Sequence, residues 1–240
     1  MNIAIIFAGG TGKRMNTKSR PKQFLELHGK PILIYTLEQF NNHPDIDGIV
    51  LVVLDAWMSY CKELLERFQI KKVGAVVPGG NTAIESQKKG LLKAKELYGA
   101  DSIVLIHDGV RPLIDEQTIS NNISGVKKHR TAITVTPAIE TIVIKDKETE
   151  ETVGQIIERS KVQLARAPQS FYLKDILDAH AKADIDNISF IDSASMMKYY
   201  GFELYTVEGS PENIKITTPN DFYTFRALVD AKESSQIFGI

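Results

Sequence analysis

Five cations stand within ten residues of this chain: Lys13, Arg14, Lys18, Arg20 and Lys22, with no acid from Lys13 to Lys22. The whole chain carries 29 Lys and Arg against 30 Asp and Glu in 240 residues, a net charge of −1. Positive charge is therefore concentrated at this point, and no bulk basic surface exists to hold a nucleic acid. The cations follow Ala8-Gly9-Gly10-Thr11-Gly12. Three glycines let the backbone turn tightly and approach a ligand without Cβ obstruction. A glycine-rich turn feeding a cation-dense loop suits a polyphosphate, because amide N–H groups and side-chain charges converge on its oxygens. The segment Ala8, Gly9, Gly10, Thr11, Gly12 and Lys13 reads as a site for a nucleoside triphosphate.

Spacing separates this loop from two other glycine-rich turns. From Gly10 it runs Gly-x-Gly-x-x-Met, so the dehydrogenase pattern Gly-x-Gly-x-x-Gly cannot be written. Lys13 follows Gly12, but no glycine stands five residues before Gly12 and Arg14 replaces the Ser or Thr of a Walker loop. A second candidate is His107-Asp108-Gly109-Val110-Arg111-Pro112, which follows an apolar run. Asp108, an acid just past a strand and near a phosphate loop, suits Mg²⁺, which takes one or two carboxylates plus phosphate oxygens. His107 has no second His or acid–base partner nearby in sequence, so a structural hydrogen-bonding role is expected for it. Gly79-Gly80-Asn81-Thr82 is a turn entering a helix, and its amides are placed to contact a base or ribose. Arg111, Arg159 and Lys215 are isolated cations at turns or strand ends, and singly they read as solvated surface.

The elements that must position these residues alternate. Ile3 to Phe7, Ile49 to Leu54, Lys72 to Val77, Ser102 to Ile106 and Ala132 to Thr136 are strand-like. Between them lie helical patterns at Ile32 to Phe40, Met58 to Phe68, Ile84 to Leu97 and Glu116 to Lys128. The spacing of Cys61, Leu64, Leu65 and Phe68 keeps one helix face apolar. Alternation of this kind predicts an α/β fold, a mainly parallel sheet with helices on both faces. Near-continuous apolar strands agree, being covered on both sides. In such sheets ligands bind beyond the carboxyl ends of the strands, where the glycine loop and Asp108 both fall.

After residue 136 the rhythm breaks. Thr141 to Lys145 and Val153 to Ile157 are β-like, joined by the charged run 146–151, which is too polar to bury. This predicts an antiparallel β-arm, at about 138–162, projecting from the sheet; the alternative is a hairpin folded back on its own domain. An arm unable to bury its apolar residues invites a second copy. Helices are expected again at Leu173 to Lys182 and Ser193 to Tyr200, and strands at Glu203 to Val207 and Ile214 to Thr217. Thr218-Pro219-Asn220-Asp221 is a helix start, with the helix running to about Lys232.

Hydrophobic residues are 43% and charged residues 25%, ordinary values for a soluble globular protein. No internal repeat or linker divides residues 1–240, which read as one domain. No apolar run approaches ~18 residues, so no membrane span is expected, and nothing at the N-terminus resembles a targeting segment. One cysteine, Cys61, excludes an internal disulfide and fits a cytoplasmic, reducing location. Its place in a helical pattern predicts a buried, inert thiol.

Taken together, Ala8 to Met15 with Pro21-Lys22-Gln23 resembles the nucleotide-binding signature of the sugar-phosphate nucleotidylyltransferases. The resemblance narrows to the cytidylyltransferases of methylerythritol phosphate and ribitol 5-phosphate through His107-Asp108, Arg111-Pro112, Ala167-Pro168-Gln169, Glu208-Gly209 and Asn213 to Thr217. It implies a Rossmann-like homodimer with an interlocking β-arm, using CTP and Mg²⁺. It implies that Arg14 and Lys22, with Lys215, stabilise the transition state, that Asp108 holds the metal, and that Gly80, Asn81, Ser86 and Gly109 belong to the nucleotide site. Arg111, Thr141, Arg159, Asp192 and Lys215 would bind the sugar phosphate, Thr141 and Arg159 from the partner's arm. The chain departs from the family's usual residues at Ala83 (commonly Arg), Glu140 (Asp), Ala167 (Thr) and Ile191 (often Thr). The Gly-Gly-Thr-Gly form leans to the ribitol phosphate branch, and Glu208 to Asn213 to the methylerythritol branch. The expectation is ribitol 5-phosphate, with methylerythritol phosphate as the alternative and a non-catalytic nucleotide-binding regulator as the remote one.

Overall fold

The computed structural model describes residues 1–10, 20–146 and 151–238. Thr11, Gly12, Lys13 and Arg14, all expected at the nucleotide, lie outside the described residues, as does the centre of the charged run between the arm strands.

The apolar runs form the strands they predict. β1 (Asn2–Ala8), β4 (Gly48–Val53), β5 (Val73–Pro78) and β6 (Ile103–Asp108) lie parallel, with β1 between β4 and β6. The helices between them are α1 (Ile32–Asn42), α2 (Met58–Arg67), α3 (Ala83–Tyr98) and α4 (Glu116–His129). A short hairpin, β2 (Glu26–Leu27) and β3 (Lys30–Pro31), precedes α1. β7 (Thr131–Pro137) follows α4.

The alternation of side chains splits each strand between two cores. Ala4, Ile6, Ile49, Leu51 and Val53 face α1, α2 and α4, with Leu37, Phe40, Leu64 and Ile123 packed against them. Ile3, Ile5, Val50, Val52 and Val104 face the other way, onto α3 and the C-terminal helices α5 (Leu173–Asp186) and α6 (Ser193–Tyr199). Cys61 is buried in the first core, and burial pushes its thiol up to about 12, so it is inert as expected.

The sequence pattern missed one strand. β10 (Gln163–Tyr172) inserts antiparallel between β6 and β7, and the central sheet runs β11-β7-β10-β6-β1-β4-β5. Its register to β7 shifts between Ala165 and Gln169, around Pro168, which has no N–H to give the ladder. The C-terminal strand is shorter than expected: β11 is Thr206–Glu208. Ile214 to Thr217 is not a strand. It bonds the Val110 carbonyl through Ile216 N at 2.9 Å, and Ile216 fills a third small core with Val110 and Phe225. The last helix, α7 (Pro219–Phe238), starts where expected, with the Asp221 carboxylate accepting from the N–H groups of Thr217 and Thr218, but it runs past Lys232.

β8 (Ile142–Lys145) and β9 (Val153–Ile157) form a separate two-stranded sheet. Its apolar side chains are not folded back on the domain: Val153 is 58% exposed and Ile156 67%, and Ile139, just before β8, is exposed as well. The arm therefore leaves apolar surface open. No helix among the described residues is long and apolar enough to cross a membrane.

The contact of α3 with the sheet depends on Gly90. A Cβ there would stand 2.8 Å from methyls of both Ile5 and Val52. Gly90→Ala should lose about 1–2 kcal/mol despite its better helix propensity, read from the midpoint of urea denaturation.

Candidate active site

β1 and β6 are parallel neighbours in a register that pairs Phe7 with Asp108. The glycine turn and the acid therefore leave the sheet side by side, at its carboxyl edge. Gly109 N bonds the Phe7 carbonyl at 3.0 Å and fixes this crossing. Gly109 lines neither cleft described below; it packs under Ala8 and Leu33, where a Cβ would crowd both. The close approach of Ala8 and Leu33 gives Gly109 a packing reason to lack a side chain.

Two adjoining clefts open over this edge. The larger, about 380 Å³, is bounded by Ala8, Gly9, Gly10 and Lys22 on one side and Gly80, Asn81 and Ser86 on the other. The smaller, about 170 Å³, holds Arg111, Gln169 and Asp192. Phe7, Ala83, Asp108 and Lys215 line both, so the clefts meet at the Asp108–Lys215 pair.

The wall carrying Gly80 is set by capping chemistry. Thr82 caps α3 by accepting from Glu85 N at 3.1 Å, and the Glu85 carboxylate accepts from Asn81 N at 2.8 Å. Ser86 Oγ accepts from Gly80 N at 3.0 Å and donates to the Thr82 carbonyl at 2.9 Å. Ser86 thus shapes the turn from beneath. Opposite, Lys22 starts a short 3₁₀ turn (Lys22–Phe24) and is buried. Its Nζ donates to the Ile216 carbonyl at 2.9 Å. Gln23 Nε2 donates to the Ala8 carbonyl at 2.6 Å, tying the cation-bearing loop to the end of β1.

Asp108 is sealed between two cations. Its Oδ1 lies 2.6 Å from Lys215 Nζ, and its Oδ2 accepts from Arg111 Nε at 2.9 Å. Burial pushes the Asp108 carboxyl up, but the adjacent Lys215 and Arg111 charges more than reverse it, and the group stays ionised below the usual carboxylate range. Arg111 also donates through Nη1 to the Asn213 carbonyl at 2.9 Å, and Asn213 Nδ2 donates to the Ala167 carbonyl at 2.7 Å. His107 is fully buried, and burial lowers it to about 4, so it is neutral and donates from Nε2 to the Arg111 carbonyl at 3.1 Å. It shapes the Asp108 loop, as expected, and takes no part in proton transfer.

Asp192 reaches the smaller cleft as the cap of α6, accepting from Ser195 N at 2.8 Å and from Gln169 Nε2 at 2.8 Å. Gln169 Oε1 in turn accepts from Ala194 N at 2.9 Å. Thr141 and Arg159 line neither cleft. Arg159 Nη1 donates to the Ile139 carbonyl at 3.0 Å, within the arm. Sequence reasoning missed Gln23, and also Gln87 and Arg166, which line the smaller cleft, Gln87 accepting from Ser193 Oγ at 2.6 Å. Gln23 sat inside a recognised motif, whereas Arg166 lies on the strand the pattern did not reveal.

For a divalent cation, Asp108 is the one acid common to both clefts, and its two oxygens retain lone pairs beyond the two cation contacts. One carboxylate suits Mg²⁺ that arrives with phosphate oxygens, and does not suit a permanently held ion. Asp108→Asn should leave the buried Arg111 without its counter-charge and cost about 3 kcal/mol by chemical denaturation. Because the carboxyl's pKa is depressed, the pair's contribution is complete above the unfolded value of about 3.9 and lost as pH falls through the folded one. The gap between wild type and Asp108→Asn should therefore be flat from about pH 5 to about pH 8 and shrink only in acid.

The family model described as 2-C-methyl-D-erythritol 4-phosphate cytidylyltransferase matches residues 2–231. A ribitol-5-phosphate cytidylyltransferase of Vibrio parahaemolyticus is 50% identical over 240 residues, covering all of both chains. One of Streptococcus agalactiae serotype III is also 50% identical, again over the full length of both. A 2-C-methyl-D-erythritol 4-phosphate cytidylyltransferase of Clostridium acetobutylicum is 37% identical, over 95% of this chain and 97% of that one. The crystal structure of 4-diphosphocytidyl-2C-methyl-D-erythritol synthase from Anaerococcus prevotii superposes with a TM-score of 0.82 at 28% identity, covering 95% of this chain and 96% of the other. With its parallel sheet, its acid at the end of β6 and its full-length similarity, this chain belongs to the 2-C-methyl-D-erythritol 4-phosphate cytidylyltransferase family.

Proposed function

We propose that this chain transfers CMP from CTP to D-ribitol 5-phosphate, giving CDP-ribitol and pyrophosphate. The observation that carries this reading is the pair of clefts meeting at Asp108 and Lys215. The larger takes the nucleotide, and the smaller takes the acceptor. Both reactants are anions, and the site between them is lined by Lys22, Lys215 and Arg111. A full-length likeness to ribitol-5-phosphate cytidylyltransferases supports the acceptor assignment.

The chemistry follows from charge. A phosphate monoester has a second pKa near ~6, so the acceptor is largely dianionic at pH 7 and needs no general base. One of its oxygens attacks the α-phosphorus of CTP in line. The bond from that phosphorus to the oxygen bridging it to the β-phosphate breaks, and pyrophosphate leaves with the electron pair. Barrier lowering comes from positioning and from cations around the pentacoordinate phosphorus. Lys22, held by the Ile216 carbonyl, and Lys215, held by Asp108, are the cations of the described residues assigned to this role; Arg14 is assigned with them. Asp108 would hold Mg²⁺ on its remaining lone pairs, and the ion supplies neutralisation of phosphate charge.

Three of the four departures from the family's usual residues, Ala83, Ala167 and Ile191, line the acceptor-side cleft. This supports a different acceptor from methylerythritol phosphate. The methylerythritol reading retains one specific support, the segment Glu208 to Asn213. The exposed apolar arm supports a homodimer in which Thr141 and Arg159 reach the partner's acceptor cleft. The lone inert Cys61 supports a cytoplasmic enzyme.

Pyrophosphate release with CTP, Mg²⁺ and a panel of polyol phosphates tests the assignment. D-Ribitol 5-phosphate should give the highest kcat/KM. A preference for 2-C-methyl-D-erythritol 4-phosphate reverses it, and CTP binding without release under any acceptor points to a regulator. Lys22→Ala should lower kcat at least about a hundredfold, about 2.7 kcal/mol of barrier. For the arm, the double variant Ile139→Asp and Ile156→Asp should convert the dimer to a monomer in light scattering, with CTP binding retained and turnover lost.

A further inference from the structure

The acceptor-side cleft contains a cation that neither the motifs nor the mechanism above employs. Arg166 stands on β10 inside the register shift between Ala165 and Gln169, and it lines the cleft with Arg111, Asp192 and Lys215. The other charged groups there already have protein partners. Arg111 is bonded to Asp108 and the Asn213 carbonyl, Lys215 to Asp108, and Asp192 to Ser195 N and Gln169. Among the described residues, Arg166 makes one hydrogen bond, from Nε to Thr136 Oγ1 at 3.3 Å, and no ion pair. That bond aims the guanidinium and leaves the four N–H groups of Nη1 and Nη2 unclaimed. Burial first, and the facing Arg111 charge second, lower the Arg166 pKa from its ordinary value. A half-buried guanidinium that feels another cation and has no ion pair of its own among the described residues is relieved by an anion of the right size.

We propose that Arg166 binds the phosphate of the incoming acceptor, presenting Nη1 and Nη2 as a fork to two of its oxygens. The fork matches phosphate geometry in a way that a lysine ammonium does not. The position also suits the reaction. The cleft that Arg166 lines is continuous with the nucleotide cleft at Asp108 and Lys215, so a phosphate held there is one step from the α-phosphorus. The small residues Ala83 on α3 and Ala167 on β10 line the same cleft. The inference rests on the reading of the acceptor as a polyol phosphate.

The test is steady-state kinetics of the full-length enzyme, with CTP and D-ribitol 5-phosphate varied independently. Arg166→Ala should raise KM for ribitol 5-phosphate at least about tenfold while KM for CTP stays within about twofold. Arg166→Lys should recover part of the loss, by charge without the fork. Inorganic phosphate, used as a probe, should compete with the acceptor in the wild type and inhibit Arg166→Ala at least about tenfold more weakly. If Arg166→Ala does not fold by circular dichroism, Arg166→Gln keeps a donor for Thr136 and should show the same KM split. An acceptor KM within about twofold of wild type, or equal rises for both substrates, overturns the proposal. Wild-type turnover with a different polyol phosphate overturns only the ribitol assignment, and the same KM comparison with that phosphate then decides Arg166. Wild-type turnover with no polyol phosphate overturns both.

Discussion

A carboxylate at the end of a buried parallel strand cannot stand alone, and here Arg111 and Lys215 hold Asp108 ionised from opposite sides. The arrangement does more than neutralise a charge. Arg111 carries the bond onward to Asn213, and Asn213 carries it to Ala167 on β10. Lys215 belongs to the segment whose Ile216 carbonyl receives Lys22. One acid therefore gathers the β6 loop, the 213–217 segment, the loop after β1 and the inserted strand β10 into a single polar junction. Such a network is costly when half satisfied and rigid when complete. Among the described residues it leaves two buried acceptors without a partner, Asn213 Oδ1 and Nδ1 of the His107 ring, which burial keeps neutral.

The junction explains how a chain of net charge −1 can bring two phosphates together. Lys22, Arg111, Arg166 and Lys215 line the two clefts, against the carboxylates of Asp108 and Asp192. The local excess of positive charge is held in place by Asp108, Thr136 and the Ile216 and Asn213 carbonyls before any substrate arrives. Preorganised charge of this kind spends no reorganisation energy at the transition state. It also removes any need for histidine chemistry, and His107 is accordingly turned inward.

What the sequence made legible follows from what each element buries. β1, β4 and β6 are covered on both faces, so their side chains are apolar without interruption and the pattern identifies them. β10 is different. Its Gln163-Leu164-Ala165-Arg166-Ala167-Pro168-Gln169 run mixes polar, small and imino residues because its first half forms the cleft wall and its ladder is broken at Pro168. The same duty that makes this strand functional hides it from a hydrophobicity pattern. Ile214 to Thr217 gives the opposite error: apolar and β-branched residues imply a strand, but only Ile216 is needed, to plug a small core under α7. The motif marks Gly109 by its place beside Asp108, and only the fold shows that Ala8 and Leu33 leave no room for a side chain there. Asp108, Lys22 and Lys215 were legible as a set because the family motif preserves their order, although only the fold brings residues 22, 108 and 215 within one cleft.

The division of labour between the two walls bears on specificity. The wall proposed for the nucleotide is made by parallel-strand termini and the capped turn before α3, where Gly9, Gly10 and Gly80 leave main-chain atoms open to the cleft. The acceptor wall is made by an antiparallel insertion and the cap of α6, linked through Gln169 to Asp192 and Ala194. The side chains of Arg166, Ala167 and Ile191 line the smaller cleft from this wall, and that of Ala83 lines it from the start of α3. Exchange there alters the shape and charge met by the acceptor and leaves the Asp108 junction intact. A family whose members are named for two different polyol phosphates is what such a construction permits, since the cleft proposed for the acceptor can be rewritten while the end of the sheet proposed to hold the triphosphate is kept.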